Sequence, residues 1–270
     1  MVVKLSGGDS YTHGAVVQLG ERFACTEEVA GSSPVSSTIG NDMSYWIVED
    51  FLLEDEHKYY LDVCDEVYKK SRQSNSIHYS WNEKNNLNKV EGIFDFEPRL
   101  RELASHPKLI TTARHILNTT EPIDTYISKF FPMEPEIGMS TYFHQDNFYF
   151  RGNSRKILSC AVYLEDTNKE NGCLRIAEES HRYGLFPHDV DSGIPFVKWI
   201  NEEILWRFNI VDFEMKAPYA VFFDVNLVHG CYPNRSKDTR FSLAWEYLES
   251  SYKDVPDLNE HWCDRNVVSH

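Results

Sequence analysis

A histidine and a carboxylate two residues apart, together with a second histidine far along the chain, constrain the fold more than any other feature. His144 and Asp146 flank Gln145, and His229 follows 85 residues after His144. Side chains two residues apart on a β-strand point to the same face, so His144 and Asp146 can bind one ligand together. A further histidine completes a 2-His-1-carboxylate set, which binds non-haem Fe(II) and leaves coordination positions open. We therefore predict a fold that brings His144, Asp146 and His229 to one metal ion.

The His-x-Asp spacing is not specific by itself. With 11 histidines and 42 acidic residues in 270 residues, about 1.7 such pairs are expected by chance. His144 is nonetheless the only histidine in the sequence with an acidic residue two positions later, so no second pair competes with it. The histidines outside the predicted set are interpreted as ordinary hydrogen-bonded residues, namely His13, His57, His78, His106, His115, His181, His188, His261 and His270.

Strand-type segments surround the candidate ligands. Residues 140–150 are dense in aromatic and β-branched side chains, and residues 219–224 form a short apolar run before His229. Both compositions favour strands. Residues 239–248 alternate as expected for a strand with one buried face. One face of that strand carries Arg240, Ser242, Ala244 and Glu246, and the other carries Phe241, Leu243, Trp245 and Tyr247.

An arginine close to such a metal site has a specific use. Its planar guanidinium can hold a dicarboxylate such as 2-oxoglutarate through two parallel hydrogen bonds. Arg240 considered alone would more often form an ion pair on a strand face. In the order His-x-Asp, His, Arg, it predicts a co-substrate anchor beside an iron site.

At these residues the chain resembles the phytanoyl-CoA dioxygenase (PhyH) family of Fe(II)/2-oxoglutarate-dependent oxygenases, over residues 43–247. Residues 164–174 are similar to the family's strand and the Asn-Gly turn that follows it. His229 and Arg240 reproduce the family's spacing of eleven between the distal histidine and the co-substrate arginine. Lys129 resembles a lysine that the family carries upstream of the His-x-Asp pair.

The resemblance implies a role for each of these side chains. The implied Fe(II) ligands are His144, Asp146 and His229, with O2 at a remaining coordination position, and the implied 2-oxoglutarate contacts are Arg240 and Lys129. Ser242, two residues after Arg240, is a further candidate for binding the same carboxylate, with packing as the alternative.

The implied activity is that of an Fe(II)/2-oxoglutarate-dependent dioxygenase. Such an enzyme would hydroxylate a small organic substrate and release succinate and CO2. Related halogenases lack the carboxylate ligand, so the presence of Asp146 favours hydroxylation. Residues near the metal pair are candidate substrate contacts, with ordinary structural roles as the alternative: Gln145, Asn147, Tyr149 and Arg151.

Two other classes of protein remain open from the sequence. Members of the family often carry serine at the position of Cys231 and tryptophan at the position of Ala161. These differences leave open a non-catalytic, cupin-like module that binds metal and acts in sensing or binding. A nucleic-acid demethylase with the same metal ligands is the second alternative, and it rests on Arg235 and Arg240.

Composition limits the partners. The net charge of −15 argues against nucleic acid and against anionic membrane surfaces. No stretch of the sequence approaches the roughly 18 apolar residues of a membrane span. The six cysteines include no Cys-x-x-Cys pair, which is typical of reduced thiols and predicts a cytoplasmic protein. We expect a small-molecule substrate, and the oligomeric state stays open.

The first 42 residues differ from the rest of the chain. They are rich in glycine, serine and threonine and lack sustained periodicity. We interpret residues 1–42 as a disordered leader or a mis-annotated start, with translation beginning at Met43. Residues 43–270 are then predicted to form a single oxygenase domain.

Helices precede strands within that domain. Residues 48–118 are predicted to be helical, with a first helix near the start and a second over 98–117 that Pro107 divides. Residues 71–88 read as a loop, and residues 188–204 as a long, partly helical connection. Short strands over about 123–250 predict an α+β, mainly β, fold. We expect a double-stranded β-helix (a jelly-roll, cupin-like barrel) with the N-terminal helices packed against it.

Overall fold

The fold is seen in a computed structural model that covers most of the chain. The residues described are 14–18, 43–73, 76, 78–81, 87–136, 141–150, 154–190, 198–255 and 263–269. Apart from 14–18, the predicted leader lies outside the described residues, so that interpretation stays a prediction. Arg151 also lies outside them.

The helices of the described residues lie mainly in the first half of the chain. They are α1 (Glu54–Ser71), α2 (Ile93–Phe96), α3 (Pro98–Ala104), α4 (Pro107–Leu117), α5 (Asn147–Phe150) and α6 (Glu202–Leu205). Pro98 and Pro107 each stand in the first turn of a helix, where a missing backbone N–H costs nothing. The predicted division of the second helix at Pro107 is therefore confirmed.

Strands dominate the rest of the described chain. The strands are β1 (Gly14–Gln18), β2 (Tyr45–Glu49), β3 (Tyr79–Trp81), β4 (Leu87–Glu91), β5 (Ile123–Met133), β6 (Ile157–Tyr163), β7 (Leu174–Ala177), β8 (Asp189–Val190), β9 (Lys198–Trp199), β10 (Ile210–Asp212), β11 (Tyr219–Asp224), β12 (His229–Cys231), β13 (Arg240–Glu249) and β14 (Arg265–Ser269).

One large sheet and one small sheet carry the architecture. The large sheet has the order β1-β2-β11-β6-β13-β5-β4-β3, with β14 also paired to β5. The small sheet has the order β10-β7-β12, and β8 pairs with β9 separately. The pairing is antiparallel except between β1 and β2.

Each face of the large sheet is covered. On one face, alternate side chains such as Leu243, Trp245 and Tyr247 pack with buried residues of α1, α3 and α4. On the opposite face, residues of β2, β6 and β11 pack against Leu174 and Ile176 of the small sheet. The predicted jelly roll with N-terminal helices packed against it is confirmed.

Two local predictions were wrong in part, and a third was incomplete. Residues 71–88 were expected to be a loop, but they include β3 and the start of β4, which extend the large sheet beside β5. The helical region was expected to begin at 48, where β2 instead pairs with β11 before α1 starts. The connection 188–204 contains the predicted helical turn, α6, and also the β8–β9 pair. None of the described helices is long and apolar enough to cross a membrane.

Candidate metal centre

Three side chains from two separate parts of the chain converge on one point. The nearest ligand atoms of His144, Asp146 and His229 all lie within 4.8 Å of one another. Nε2 of His144 is 3.7 Å from Oδ1 of Asp146, and Nε2 of His229 is 3.8 Å from the same oxygen. These spacings suit two imidazoles and one carboxylate around a single ion.

The hydrogen bonds of the two histidines leave the converging nitrogens available. Nδ1 of His144 donates to the carbonyl oxygen of Tyr142 at 2.8 Å, and Nδ1 of His229 donates to that of Leu227 at 2.9 Å. A carbonyl can only accept, so the proton of each neutral imidazole resides on Nδ1. Nε2 of each ring therefore presents a lone pair toward Asp146, as a metal ligand requires.

The carboxylate of Asp146 is oriented in the same way. Ser159 on β6 donates a 2.6 Å hydrogen bond to Oδ2. This bond leaves Oδ1, the oxygen nearest both imidazoles, free to bind a cation. No feature of the sequence marked Ser159, because its spacing from Asp146 belongs to neither a helix nor a strand.

Burial and nearby charge fix the protonation states. Burial opposes ionisation of Asp146, but His229, His144 and Lys129 together hold its pKa well below its usual range. Burial lowers the pKa of His229 to about 4, and this outweighs the opposite effect of Asp146. At neutral pH the centre therefore presents a carboxylate and a neutral His229 imidazole, both in the form that binds metal.

The backbone around His144 differs from the predicted strand. His144 forms a single antiparallel bridge with His229, with N···O distances of 2.9 and 3.0 Å, and α5 begins at Asn147. The close approach depends on Gly230, since a Cβ there would lie 2.6 Å from the carbonyl oxygen of Thr141. For residues 141–150 the prediction of a strand was wrong, although His144 and Asp146 do face one site.

Gln145 does not face that site. Its fully buried amide donates to the carbonyl oxygens of Gly184 and Asn226 at 2.7 and 2.5 Å, and it accepts from the backbone N–H of Phe186 at 2.8 Å. Gln145 thus fixes the turn between the two ligands to loops on its far side. Of the predicted substrate contacts, Tyr149 lines the cavity beside the metal ligands, whereas Asn147 bonds to Asn226.

A cavity of about 260 Å³ opens beside the three ligands. Arg240, Ser242 and Lys129 all line it, as do Ala161 and Cys231. The structure therefore brings every predicted metal and co-substrate residue to one chamber.

Arg240 is held ready for an anion at one end of the cavity. Its Nε and Nη2 donate to the carbonyl oxygens of Asn171 and Gly172 at 3.2 and 3.1 Å. Its guanidinium also lies 5.2 Å from the ring centroid of Tyr163. Nη1 is buried and finds no hydrogen-bond partner within the described part of the chain. A buried charged donor of this kind indicates a place for an acidic ligand.

The turn that holds Arg240 requires glycine. Gly172 has φ of +89°, which other residues rarely adopt, and a Cβ there would lie 2.9 Å from the carbonyl oxygen of Tyr232. The Asn-Gly turn noted in the sequence thus presents two consecutive carbonyl oxygens to Arg240.

Lys129 and Glu246 form a second polar feature on the cavity wall. Nζ of Lys129 lies 3.1 Å from Oε1 of Glu246 across β5 and β13. Burial raises the pKa of Glu246, whereas the ammonium of Lys129 beside Oε1 lowers it and favours the carboxylate form. Alternation along residues 239–248 placed Glu246 on the same face as Arg240, but no role was predicted for it.

Comparison with known proteins agrees with this fold. A family model described as phytanoyl-CoA dioxygenase (PhyH) matches residues 45–242. The "Phytanoyl-CoA dioxygenase domain-containing protein 1 homolog" of Dictyostelium discoideum is 25% identical over 184 residues, 65% of this chain and 64% of that protein. The chain thus spans less than two thirds of this curated relative.

Two crystal structures of EctD from S. alaskensis share the fold. The structure with 2-oxoglutarate and 5-hydroxyectoine has a TM-score of 0.66 at 22% identity and covers 83% of this chain and 79% of EctD. The structure with bound Fe has a TM-score of 0.66 at 21% identity, with coverage of 85% and 82%. Since the family model matches residues 45–242, well over half of the sequence, the chain belongs to the phytanoyl-CoA dioxygenase (PhyH) family.

Proposed function

We propose that this protein is an Fe(II)/2-oxoglutarate-dependent dioxygenase that hydroxylates a small organic substrate and releases succinate and CO2. The observation that carries the proposal is one cavity with a candidate metal site at one end and a candidate carboxylate-binding arginine at the other. Two imidazole nitrogens and one carboxylate oxygen converge at the first end, and an unpartnered arginine N–H group faces the second. Membership of the PhyH family supports the same activity.

The donor set fits the two groups that the activity needs. His144, Asp146 and His229 would hold Fe(II), since their free lone pairs already face one another. Fe(II), when bound, supplies the activation of O2 that couples oxidation of 2-oxoglutarate to oxidation of the substrate. The likeness to EctD, whose structures contain Fe and 2-oxoglutarate, supports this assignment.

The remaining residues position the co-substrate and exclude water. Arg240 would donate through Nη1 to the distal carboxylate of 2-oxoglutarate, while its other N–H groups stay bound to backbone carbonyls. Ser242 lines the cavity two residues along the same strand and would donate to that carboxylate. Lys129 adds a buried positive charge that would help to retain the dianion.

The proposal is tested by incubating purified protein with Fe(II), O2 and 2-oxoglutarate and measuring succinate. We expect slow succinate release from the wild type and none above background from Asp146→Ala. A panel of small organic metabolites should then include a class that raises release by the wild type alone. Failure to bind 2-oxoglutarate would instead favour the metal-binding module without turnover.

For the binding partners and the cellular location we propose only the class of substrate. The substrate is proposed to be a small molecule, because the cavity beside the metal ligands has a volume of only about 260 Å³. The cytoplasmic location and the absence of nucleic-acid and membrane partners stay predictions.

A further inference from the structure

One buried acceptor in the cavity is left unused by the proposed metal and co-substrate sites. Glu246 is 1% exposed, and only its Oε1 lies near Lys129. Oε2 of Glu246 is buried without a hydrogen-bond partner anywhere in the described ranges. A buried acceptor left without a donor is unfavourable and uncommon in proteins. A ligand group that donates a hydrogen bond would satisfy it.

The position of Glu246 indicates which ligand this is. Arg240 begins β13, and Glu246 lies six residues further along the same face of the strand. Glu246 stands opposite Ser159 of β6, and Ser159 is the residue that holds Asp146. Glu246 is therefore at the metal end of the cavity, while Arg240 is at the other end. A co-substrate that reaches from Arg240 to the metal leaves Glu246 facing the compound to be oxidised.

The surroundings of Glu246 define the chemistry of that compound. Ile127 and Phe150 add hydrocarbon surface to the wall of the same cavity, and Tyr149 adds an aromatic ring. The cations nearby already have anionic partners, since Lys129 pairs with Glu246 and Lys89 lies 2.6 Å from Glu91. Arg240 would bind the co-substrate, so the metal end of the cavity has, among the described residues, no cation left to pair with an anionic substrate.

We propose that Glu246 is a specificity-determining residue that accepts a hydrogen bond, through Oε2, from an uncharged hydroxyl or amide N–H group of the substrate. The substrate is then a small neutral molecule that carries such a donor on a hydrocarbon body. This inference rests on the proposed function, because it takes the metal and co-substrate sites as given.

Matched ligands test the inference without knowledge of the natural substrate. Benzyl alcohol, benzyl methyl ether and benzoate share one hydrocarbon body and differ in the group presented to Glu246. Their dissociation constants would be measured by ligand-observed NMR on protein loaded with Zn(II) and 2-oxoglutarate, which prevents turnover. We expect the wild type to bind the alcohol about tenfold more tightly than the ether or benzoate.

Two variants separate recognition from folding. Glu246→Leu alone leaves Lys129 as an unpaired buried cation, so Lys129→Met is combined with it to give an apolar pair. Because Lys129 is also a proposed co-substrate contact, this double variant is compared with the wild type only at a 2-oxoglutarate concentration that saturates it. Glu246→Gln keeps an acceptor for Lys129 and turns an amide N–H toward the ligand. We expect the preference for the alcohol over the ether to disappear in both proteins.

The outcomes distinguish this inference from the proposed function. Binding of 2-oxoglutarate is measured first on each Zn(II)-loaded protein. If the wild type binds 2-oxoglutarate but shows no preference for the alcohol, or binds none of the three probes, the role of Glu246 is overturned alone. A preference that persists in both variants overturns it as well. If the loaded wild type does not bind 2-oxoglutarate, the proposed function fails and this inference fails with it.

Discussion

Ser159 donates a 2.6 Å hydrogen bond to Oδ2 of Asp146, and this contact decides which carboxylate oxygen faces the two histidines. Oδ1 is left 3.7 and 3.8 Å from the Nε2 atoms of His144 and His229. Residues that hold a metal ligand through its second oxygen tune affinity even though they do not touch the ion. Ser159 therefore belongs to the metal centre by position, although it is not a ligand.

Replacing this hydroxyl should weaken metal binding. We expect Ser159→Ala to lower the affinity for Fe(II) by about 10- to 100-fold, because Asp146 loses the contact that orients it. Anaerobic titration with Fe(II) measures the change. Ser242→Ala is the matched control, as Ser242 is also a buried serine on the cavity wall but contacts no metal ligand. Equal Fe(II) affinities for the two variants would contradict the role given to Ser159.

The affinity for 2-oxoglutarate should depend on the planar geometry of the Arg240 guanidinium as well as on its charge. Two of its nitrogens are already committed to Asn171 and Gly172, so only a guanidinium has a further N–H to offer. We expect Arg240→Lys to weaken 2-oxoglutarate binding at least about tenfold and to leave Fe(II) affinity unchanged. Calorimetric titration of the metal-loaded protein measures both.

Arg175 offers a matched control for that substitution. It pairs with Asp212 and stacks 4.1 Å from the ring centroid of Tyr232, away from the cavity lining. Arg175→Lys should bind 2-oxoglutarate as the wild type does. If Arg240→Lys also binds normally, the distal carboxylate is held elsewhere, with Lys129 the next residue to test.

The sequence was sufficient where a local rule decides the outcome. Pro98 and Pro107 mark helix starts because proline lacks the N–H that a helix interior needs. Alternation over residues 239–248 separated the face toward the helices from the face toward the cavity, since a strand has a period of two. These predictions needed no knowledge of distant contacts.

Predictions failed where distant contacts override local preference. The aromatic and β-branched residues around His144 favour a strand, yet residues 141–150 contain an isolated bridge to His229 and no strand. Gln145 bonds to segments 39 and more residues away, and these contacts bend the chain into α5. The roles of Ser159 and Glu246 likewise arise only when β6 and β13 pair. The spacing of residues in the sequence does not reveal which residues of paired strands will lie opposite each other.

Gln145 should stabilise the fold as well as the site. Its three side-chain hydrogen bonds, one buried and two partly buried, would be lost in Gln145→Ala, and three backbone groups would lose their partner. We expect the free energy of unfolding to fall by about 2 kcal/mol or more, measured by urea denaturation of the metal-free protein. Asn209→Ala is the control, because this exposed amide should contribute less than about 0.5 kcal/mol. Similar losses in the two variants would show that Gln145 is not the anchor described.

The stability of the metal-free protein should depend on pH through His229. Burial lowers the folded-state pKa of this residue to about 4 from an ordinary value of 6.5. Between these values the unfolded chain binds more protons, so the free energy of unfolding declines as the pH falls from 6.5 to 4. The contribution of His229 is complete above pH 6.5 and amounts to about 3 kcal/mol at most. Urea denaturation of the wild type and of His229→Gln at several pH values, with chelator present, isolates it. The difference in stability between the two proteins should shrink as the pH falls through this window, and a constant difference would rule out the titration of a buried, neutral His229.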